Sequence, residues 1–292
     1  MTPFELAEPR TLREAVALCA GDDSSGDSPR AIAGGTALML MMKAGVFQPR
    51  RLVSLRRVEA RYAAIEVTND GGLRIGALAT LSSLARSAAV QGATPVIIQT
   101  LKTLANVRVR NVATLGGALA HGDPHMDLPP VLTALGAHIV TVKAAGEGTR
   151  AVGDLYTGYY ETALAKGELI AEVIVPPQAG WRAAYFKVTT RCADDWPTLG
   201  VAVSVKCQAN VVTDVRMVVS AATDKPVRLT AAEKELRGAQ HGDAPSAAVL
   251  ERCGEAAASE VELAADTRGS SAYKRELLRV YAVRALRAAL DG

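Results

Sequence analysis

The chain has no Cys-x-x-Cys pair; its cysteines, Cys19, Cys192, Cys207 and Cys253, are scattered along 292 residues. Without closely spaced thiols it offers no zinc or iron–sulfur ligand set of its own, and reduced, buried thiols are expected. Long apolar runs are also missing. The longest, Ala37–Met42, falls far short of the roughly 20 residues that a membrane-spanning helix needs. The opening Met1-Thr2-Pro3-Phe4-Glu5 lacks a basic region followed by an apolar stretch, so a cytoplasmic protein without a secretion signal is expected. Net charge is only +3, which leaves no electrostatic footprint for nucleic acid or a membrane surface. There is no Ser-His-Asp or Cys-His constellation, no GxGxxG and no Walker loop. What remains is a globular composition, 49% apolar and 22% charged, with length for about two domains of about 150 residues.

Against that background two glycine doublets stand out, Ala33-Gly34-Gly35-Thr36 and Thr114-Leu115-Gly116-Gly117. Glycine has no Cβ, so the backbone reaches conformations closed to other residues and its N–H groups can come close to a ligand. Each doublet has a threonine hydroxyl beside it. Two such turns can grip one pyrophosphate from both sides, and the first lies where a strand gives way to a helix, a natural anion site. Taken alone, each doublet fits a plain tight turn equally well.

The surrounding pattern is α+β. Helices are expected over Thr11–Ala20, Thr36–Ala44, Thr80–Ala89 with Thr80 as N-cap, and from Pro95 to near Asn106. The methionines Met39, Met41 and Met42 read as core packing. Strands are expected at Arg30–Ala33, Leu52–Leu55, Ala63–Val67, Leu73–Ala77, Ala137–Lys143 and Glu168–Val175. Asn69-Asp70-Gly71-Gly72 signals a hairpin turn. Asp127 reads as the cap of a helix over Leu128–Leu135 that stops at Gly136, and its carboxylate has further acceptor sites for ribose hydroxyls. His121, Asp123, His125 and Asp127 imitate a metal cluster, but Pro124 breaks any helix that would align the imidazoles, so no metal site is read. A boundary is placed at Pro176-Pro177. Beyond it, β-like runs at Trp181–Thr190, Leu199–Gln208 and Val211–Ala221 are followed by helical patterns, as in an α+β domain with an antiparallel sheet.

Both turns, their separation, and the Gly-Gly-x-x-Ala…Asp-Pro…Asp-Leu-Pro-Pro pattern resemble the FAD-binding medium subunit of molybdenum hydroxylases, the carbon-monoxide-dehydrogenase and xanthine-dehydrogenase type. Tyr185-Phe186-Lys187…Arg191…Asp195-Trp196 and Ala272-Tyr273-Lys274-Arg275…Arg284-Ala285-Leu286 extend the resemblance to the full length. It implies an N-terminal FAD-binding domain of the vanillyl-alcohol-oxidase (PCMH) type over 1–176, with lobes of about 1–57 and 58–176. A carboxyl-terminal flavoprotein domain over 177–292 would hold a three-stranded antiparallel sheet and helices. FAD would lie extended. Ala31, Ile32, Ala33, Gly34, Gly35, Thr36, Ala37 and Leu38 would form one wall, and Thr114, Gly116 and Gly117 the other. Asp127 would hold the ribose, Leu104 and Ile170 would line the flavin or adenine pocket, and Lys187 and Trp196 would approach the isoalloxazine.

The family usually has Asn after the second doublet; here it is Ala118, which leaves only a backbone contact. Ala37 likewise stands where the family often has Asp or Ser. The resemblance further implies partners: a large molybdopterin subunit and a small subunit with two [2Fe–2S] clusters, assembled as (αβγ)₂. On that reading no residue here is a catalytic base or nucleophile. Two rivals are a stand-alone flavin reductase of the same fold, similar to enolpyruvyl-glucosamine reductases, and an assembly subunit that has lost FAD.

Overall fold

The computed structural model of the chain describes residues 2–21, 29–209, 211–240 and 247–291. The first lobe is built on a small parallel sheet. β1 (Glu5–Ala7) is followed by helix α1 (Leu12–Cys19), then β2 (Arg30–Ile32), helix α2 (Leu38–Lys43) and β3 (Arg51–Ser54), with β3 central in the order β1-β3-β2. A capping box starts α1: the Thr11 hydroxyl accepts from the Glu14 amide, and the Glu14 carboxylate accepts from the Thr11 amide. Its buried face, Leu12, Ala15, Val16 and Cys19, is the one that helical periodicity predicts.

The second lobe is a five-stranded antiparallel sheet in the order β4-β5-β10-β6-β7, from β4 (Ile65–Val67), β5 (Leu73–Gly76), β6 (His138–Lys143), β7 (Gly146–Ala151) and β10 (Leu169–Val175). Strands β8 (Tyr156–Gly158) and β9 (Glu161–Thr162) pair beside it. One face carries helices α3 (Leu81–Arg86), α4 (Ala88–Ala93), α5 (Pro95–Thr103), α6 (Val107–Arg110), α7 (Leu115–Ala120) and α8 (Leu128–Ala134). The expected helix from Thr80 is split in two, because Ser87 ends α3 and caps α4 by accepting from the Val90 amide. Strand β10 has an irregular register between Ile170 and Glu172. That bulge reverses the alternation, so Ile170, Val173 and Val175 all face the helix-covered core while Leu169 and Ala171 face α1.

The C-terminal part has three long antiparallel strands, β11 (Trp181–Val188), β12 (Leu199–Gln208) and β13 (Val211–Ser220). A two-residue fourth, β14 (Val227–Arg228), extends the expected three-stranded sheet. Helices α9 (Thr230–Leu236), α10 (Ala247–Glu260) and α11 (Ser271–Asp291) cover one face and bury Val201, Val203, Met217 and Val219. The other face lies on α8, so Ala202, Val218, Ala183 and Tyr185 join the core of the second lobe. Carbonyls at the C-terminal end of α8 are satisfied across this junction: Arg216 donates to Ala134 O at 3.4 Å and Gln178 to Leu135 O at 3.2 Å. No helix among the described residues is long and apolar enough to cross a membrane.

Two expectations are corrected. Of the three methionines, only Met42 is buried; α2 lies on the surface, with Leu40 65% exposed. Cys19 and Cys253 are buried, their thiols pushed up to about 11 by burial, but Cys192 is exposed.

The turn at Gly116 is locked to the exit of β5. The Gly116 amide donates to Ala77 O at 2.7 Å, and a Cβ there would lie 2.5 Å from the Ala77 Cβ. Gly116→Ala is therefore expected to cost about 1–3 kcal/mol by overpacking. Ala77→Gly in the same chain is expected to recover part of it; thermal melting of the single and double variants measures both.

Candidate functional site

The first turn leaves the parallel sheet at the end of β2, where Ile32 pairs with Ser54. Gly35 has φ +70°, and a Cβ there would come 2.9 Å from Ile32 Cδ1. At Gly34 a Cβ would overlap the Val112 carbonyl and sit 2.9 Å from Ala113 Cα. Glycine at 34 thus lets the first turn lie main chain against main chain on the approach to the second. Among the described residues, the amides of Gly34, Gly35, Thr36, Ala37 and Leu38 donate to no protein acceptor; the first bonded amide is Met39, to Gly35 O at 3.0 Å. Residues 31–38 are all half-buried. A run of consecutive unpaired N–H groups is the kind of backbone feature that accepts an anion.

The second turn differs from the expectation of open backbone. Leu115 N–H donates to Ala79 O at 2.9 Å, Gly116 N–H to Ala77 O at 2.7 Å, Gly117 N–H to the Thr114 hydroxyl at 3.2 Å and Ala118 N–H to Thr114 O at 2.9 Å. All four donors are spent within the protein. Gly116 is buried against Ala77, and its N–H is spent there. Gly117 is exposed, and a Cβ on it would lie 3.9 Å from the Ala33 Cβ, facing the first turn. The donors of the second turn are therefore spent, and the open ones lie on the first. Ala77 N–H in turn bonds Ala171 O at 2.8 Å, which places the second turn beside Ile170. Ile170 and Leu104 are buried in the core that also holds Ala113 and Leu115.

Asp127 precedes α8 but caps nothing. An N-cap side chain accepts from the amides two and three residues on, and those positions are Pro129 and Pro130, which have none. The carboxylate, 4% exposed, turns instead to β11. Its Oδ1 accepts from the Tyr185 hydroxyl at 2.6 Å and its Oδ2 from Lys187 Nζ at 3.1 Å. Lys187 also donates to Thr103 O at 2.8 Å, next to Leu104. Burial pushes the Asp127 carboxyl above its ordinary range, and the Lys187 ammonium and Tyr185 hydroxyl pull the other way.

Trp196 takes no part in these hydrogen bonds. It is 49% exposed, stacks on His125 with centroids 5.6 Å apart, and has the Arg268 guanidinium 5.6 Å from its ring. His125 is tied to Asp123 through both its ring Nδ1 and its backbone amide, each at 2.9 Å from Oδ1. Burial works to raise the Asp123 carboxyl, and the bonds from His125 outweigh it and hold the group below its usual range.

Two family models match. The FAD binding domain in molybdopterin dehydrogenase covers residues 2–178, and the CO dehydrogenase flavoprotein C-terminal domain covers residues 184–289. The chain belongs to the molybdopterin dehydrogenase FAD-binding family. It is 30% identical over 285 residues to the glyceraldehyde dehydrogenase medium chain of Sulfolobus acidocaldarius, covering 97% of each chain. It is 32% identical to the carbon monoxide dehydrogenase medium chain of Hydrogenophaga pseudoflava, covering 98% of this chain and 96% of that one. A solved structure of carbon monoxide dehydrogenase from that organism, lacking the Mo-pyranopterin moiety, superposes with a TM-score of 0.90 at 32% identity over 99% of this chain and 97% of that one. Quinoline 2-oxidoreductase from Pseudomonas putida 86 superposes with a TM-score of 0.90 at 25% identity, covering 100% and 98%.

The structure brings Gly34 against Val112 and Ala113 and Gly117 toward Ala33, and gathers Asp127 and Lys187 beside Leu104. Sequence reasoning gave no role to Tyr185, although residues 185 and 187 share one face of a strand and one of them was already singled out. Removing the charge at Asp127 leaves Lys187, 6% exposed at its side chain, without its counter-ion. Asp127→Ala is expected to cost about 3–5 kcal/mol, and Asp127→Asn less, because the amide keeps an oxygen for Tyr185. Urea denaturation of both variants checks the order.

Proposed function

We propose that this chain is the FAD-carrying medium subunit of a molybdenum hydroxylase. Electrons would arrive from two [2Fe–2S] clusters on a small partner subunit and leave through this chain to an external acceptor. Substrate oxidation would take place at molybdopterin on a large subunit, in an (αβγ)₂ assembly working in the cytoplasm. The division into a cofactor domain over 1–176 and a second domain over 177–292 belongs to the same reading. Names among the relatives support it: medium chains of glyceraldehyde and carbon monoxide dehydrogenases and a xanthine dehydrogenase FAD-binding subunit of Escherichia coli O157:H7.

The observation that carries the reading is the run of five unpartnered amides from Gly34 to Leu38, which begins where Gly34 packs against Val112 and Ala113. It fits a diphosphate. Backbone donors need no basic side chain, and Ala118 offers no side-chain amide. Bound FAD supplies a carrier that accepts electrons singly and releases them in pairs. The chain's own residues would hold it. Ala31 to Leu38 would line one side of the diphosphate, and Thr114, Gly117 and Ala118 the other. Gly116 supports that wall from behind. Asp127 and Lys187 would face the remainder of the cofactor, with Leu104 and Ile170 as apolar backing. Trp196, committed to His125 and Arg268, would border the site from outside.

Gly34→Ala tests the placement. The added methyl collides with the Val112 carbonyl and pushes the amide run off its wall. The purified variant is expected to carry at least about tenfold less FAD than the wild type, as a loss of several favourable donors implies. Gly71→Ala, a positive-φ glycine with open space around its Cβ position, serves as the control and is expected to retain FAD. The visible flavin band relative to protein absorbance reads both. Co-purification of iron–sulfur and molybdopterin chains from native cells tests the partners.

A further inference from the structure

Asp127 is a point where the N-terminal and C-terminal parts meet through charge. One of its oxygens takes the Tyr185 hydroxyl and the other takes Lys187, and both donors stand on the same face of β11. Lys187 reaches back a second time, to Thr103 O. The neighbouring strand makes room for this. Gly200 pairs with Lys187 across the ladder, and a Cβ on it would come 2.9 Å from the Tyr185 hydroxyl oxygen. The Tyr185 ring packs against the core of the second lobe, and its hydroxyl has Asp127 as acceptor.

We propose that Tyr185 is a positioning residue for the cofactor: by holding Asp127 it keeps the C-terminal sheet seated against the site that the two glycine turns form. The assignment rests on the FAD reading above. One donor would leave the carboxylate free to swing about its Cβ–Cγ bond, whereas two donors on separate oxygens fix its plane. Loss of solvent around the phenol and the charge of Asp127 raise the Tyr185 pKa well above its ordinary value, so the hydroxyl remains a donor. A group that favours the binding-competent arrangement raises affinity without touching the ligand, and the bound ligand stabilises that arrangement in return.

The test uses the full chain and FAD itself. Wild type and Tyr185→Phe are compared for the rate of FAD release, followed by recovery of flavin fluorescence, and for melting temperature with and without FAD. Release is expected to be about tenfold faster in the variant, the effect of losing one hydrogen bond to a charged group. The rise in melting temperature on loading FAD is expected to shrink. A purely structural hydroxyl would lower the melting temperatures of free and loaded chains alike and leave release unchanged; that result overturns the proposal. Asp127→Asn, alone and combined with Tyr185→Phe, completes a cycle in which the release effects are expected to be non-additive. Additive effects overturn it. A wild-type chain that takes up no FAD overturns the cofactor reading and this assignment together. A wild type that binds FAD beside an unchanged Tyr185→Phe overturns this assignment alone.

Discussion

Main chain rests on main chain where Gly34 meets Val112 and Ala113, and the rest of the site follows from that contact. Only a residue without a Cβ allows two backbones so close. The approach brings the first turn, with its open amides at residues 34–38, against the segment that leads into the second, although the two turns come from different lobes. The second turn affords a rigid wall because its own amides are spent on Ala77, Ala79 and Thr114. One turn is anchored and the other is left with unsatisfied donors. That asymmetry suits a ligand that brings its own negative charge, since half-buried open donors need something to accept from them.

A second constraint ties the halves of the molecule. The C-terminal sheet is a shared layer, with helices α9 to α11 on one face and α8 on the other. Residues 183, 185 and 187 point toward the N-terminal part, while 184, 186 and 188 point toward the C-terminal helices. Alternation along a strand thus delivers Tyr185 and Lys187 to Asp127 with no special loop. A buried ion pair of this sort contributes little net stability, because desolvation offsets the attraction. Its value lies in specifying how the two parts seat, and the two prolines after Asp127 free the carboxylate for that task.

Much of the fold was legible in the chain. Capping at Thr80, the turn at Asn69–Gly72, proline at the start of α5 and the stop at Gly136 all act within a few residues, and each appears where its signal stands. Boundaries failed where a local competitor went unnoticed, as with Ser87, whose hydroxyl begins a new helix. The cap reading of Asp127 failed for a reason printed in the sequence: the amides it would need are absent from Pro129 and Pro130. The ring partners of Trp196, His125 and Arg268, lie far from it in sequence, and no periodicity links them.

By itself, the sequence determined which residues were able to take part: glycines that tolerate close contact, a carboxylate with no cap to serve, and a tyrosine and a lysine in phase on one strand. Tertiary structure decided which of them do so, and how. It spent the donors of the second turn on the exit of β5, left those of the first turn open, and joined Asp127 to side chains nearly sixty positions away. The physical reason is range. Propensity, capping and alternation act over a few residues, whereas a hydrogen bond is awarded to whichever partner the packed chain brings within about 3 Å.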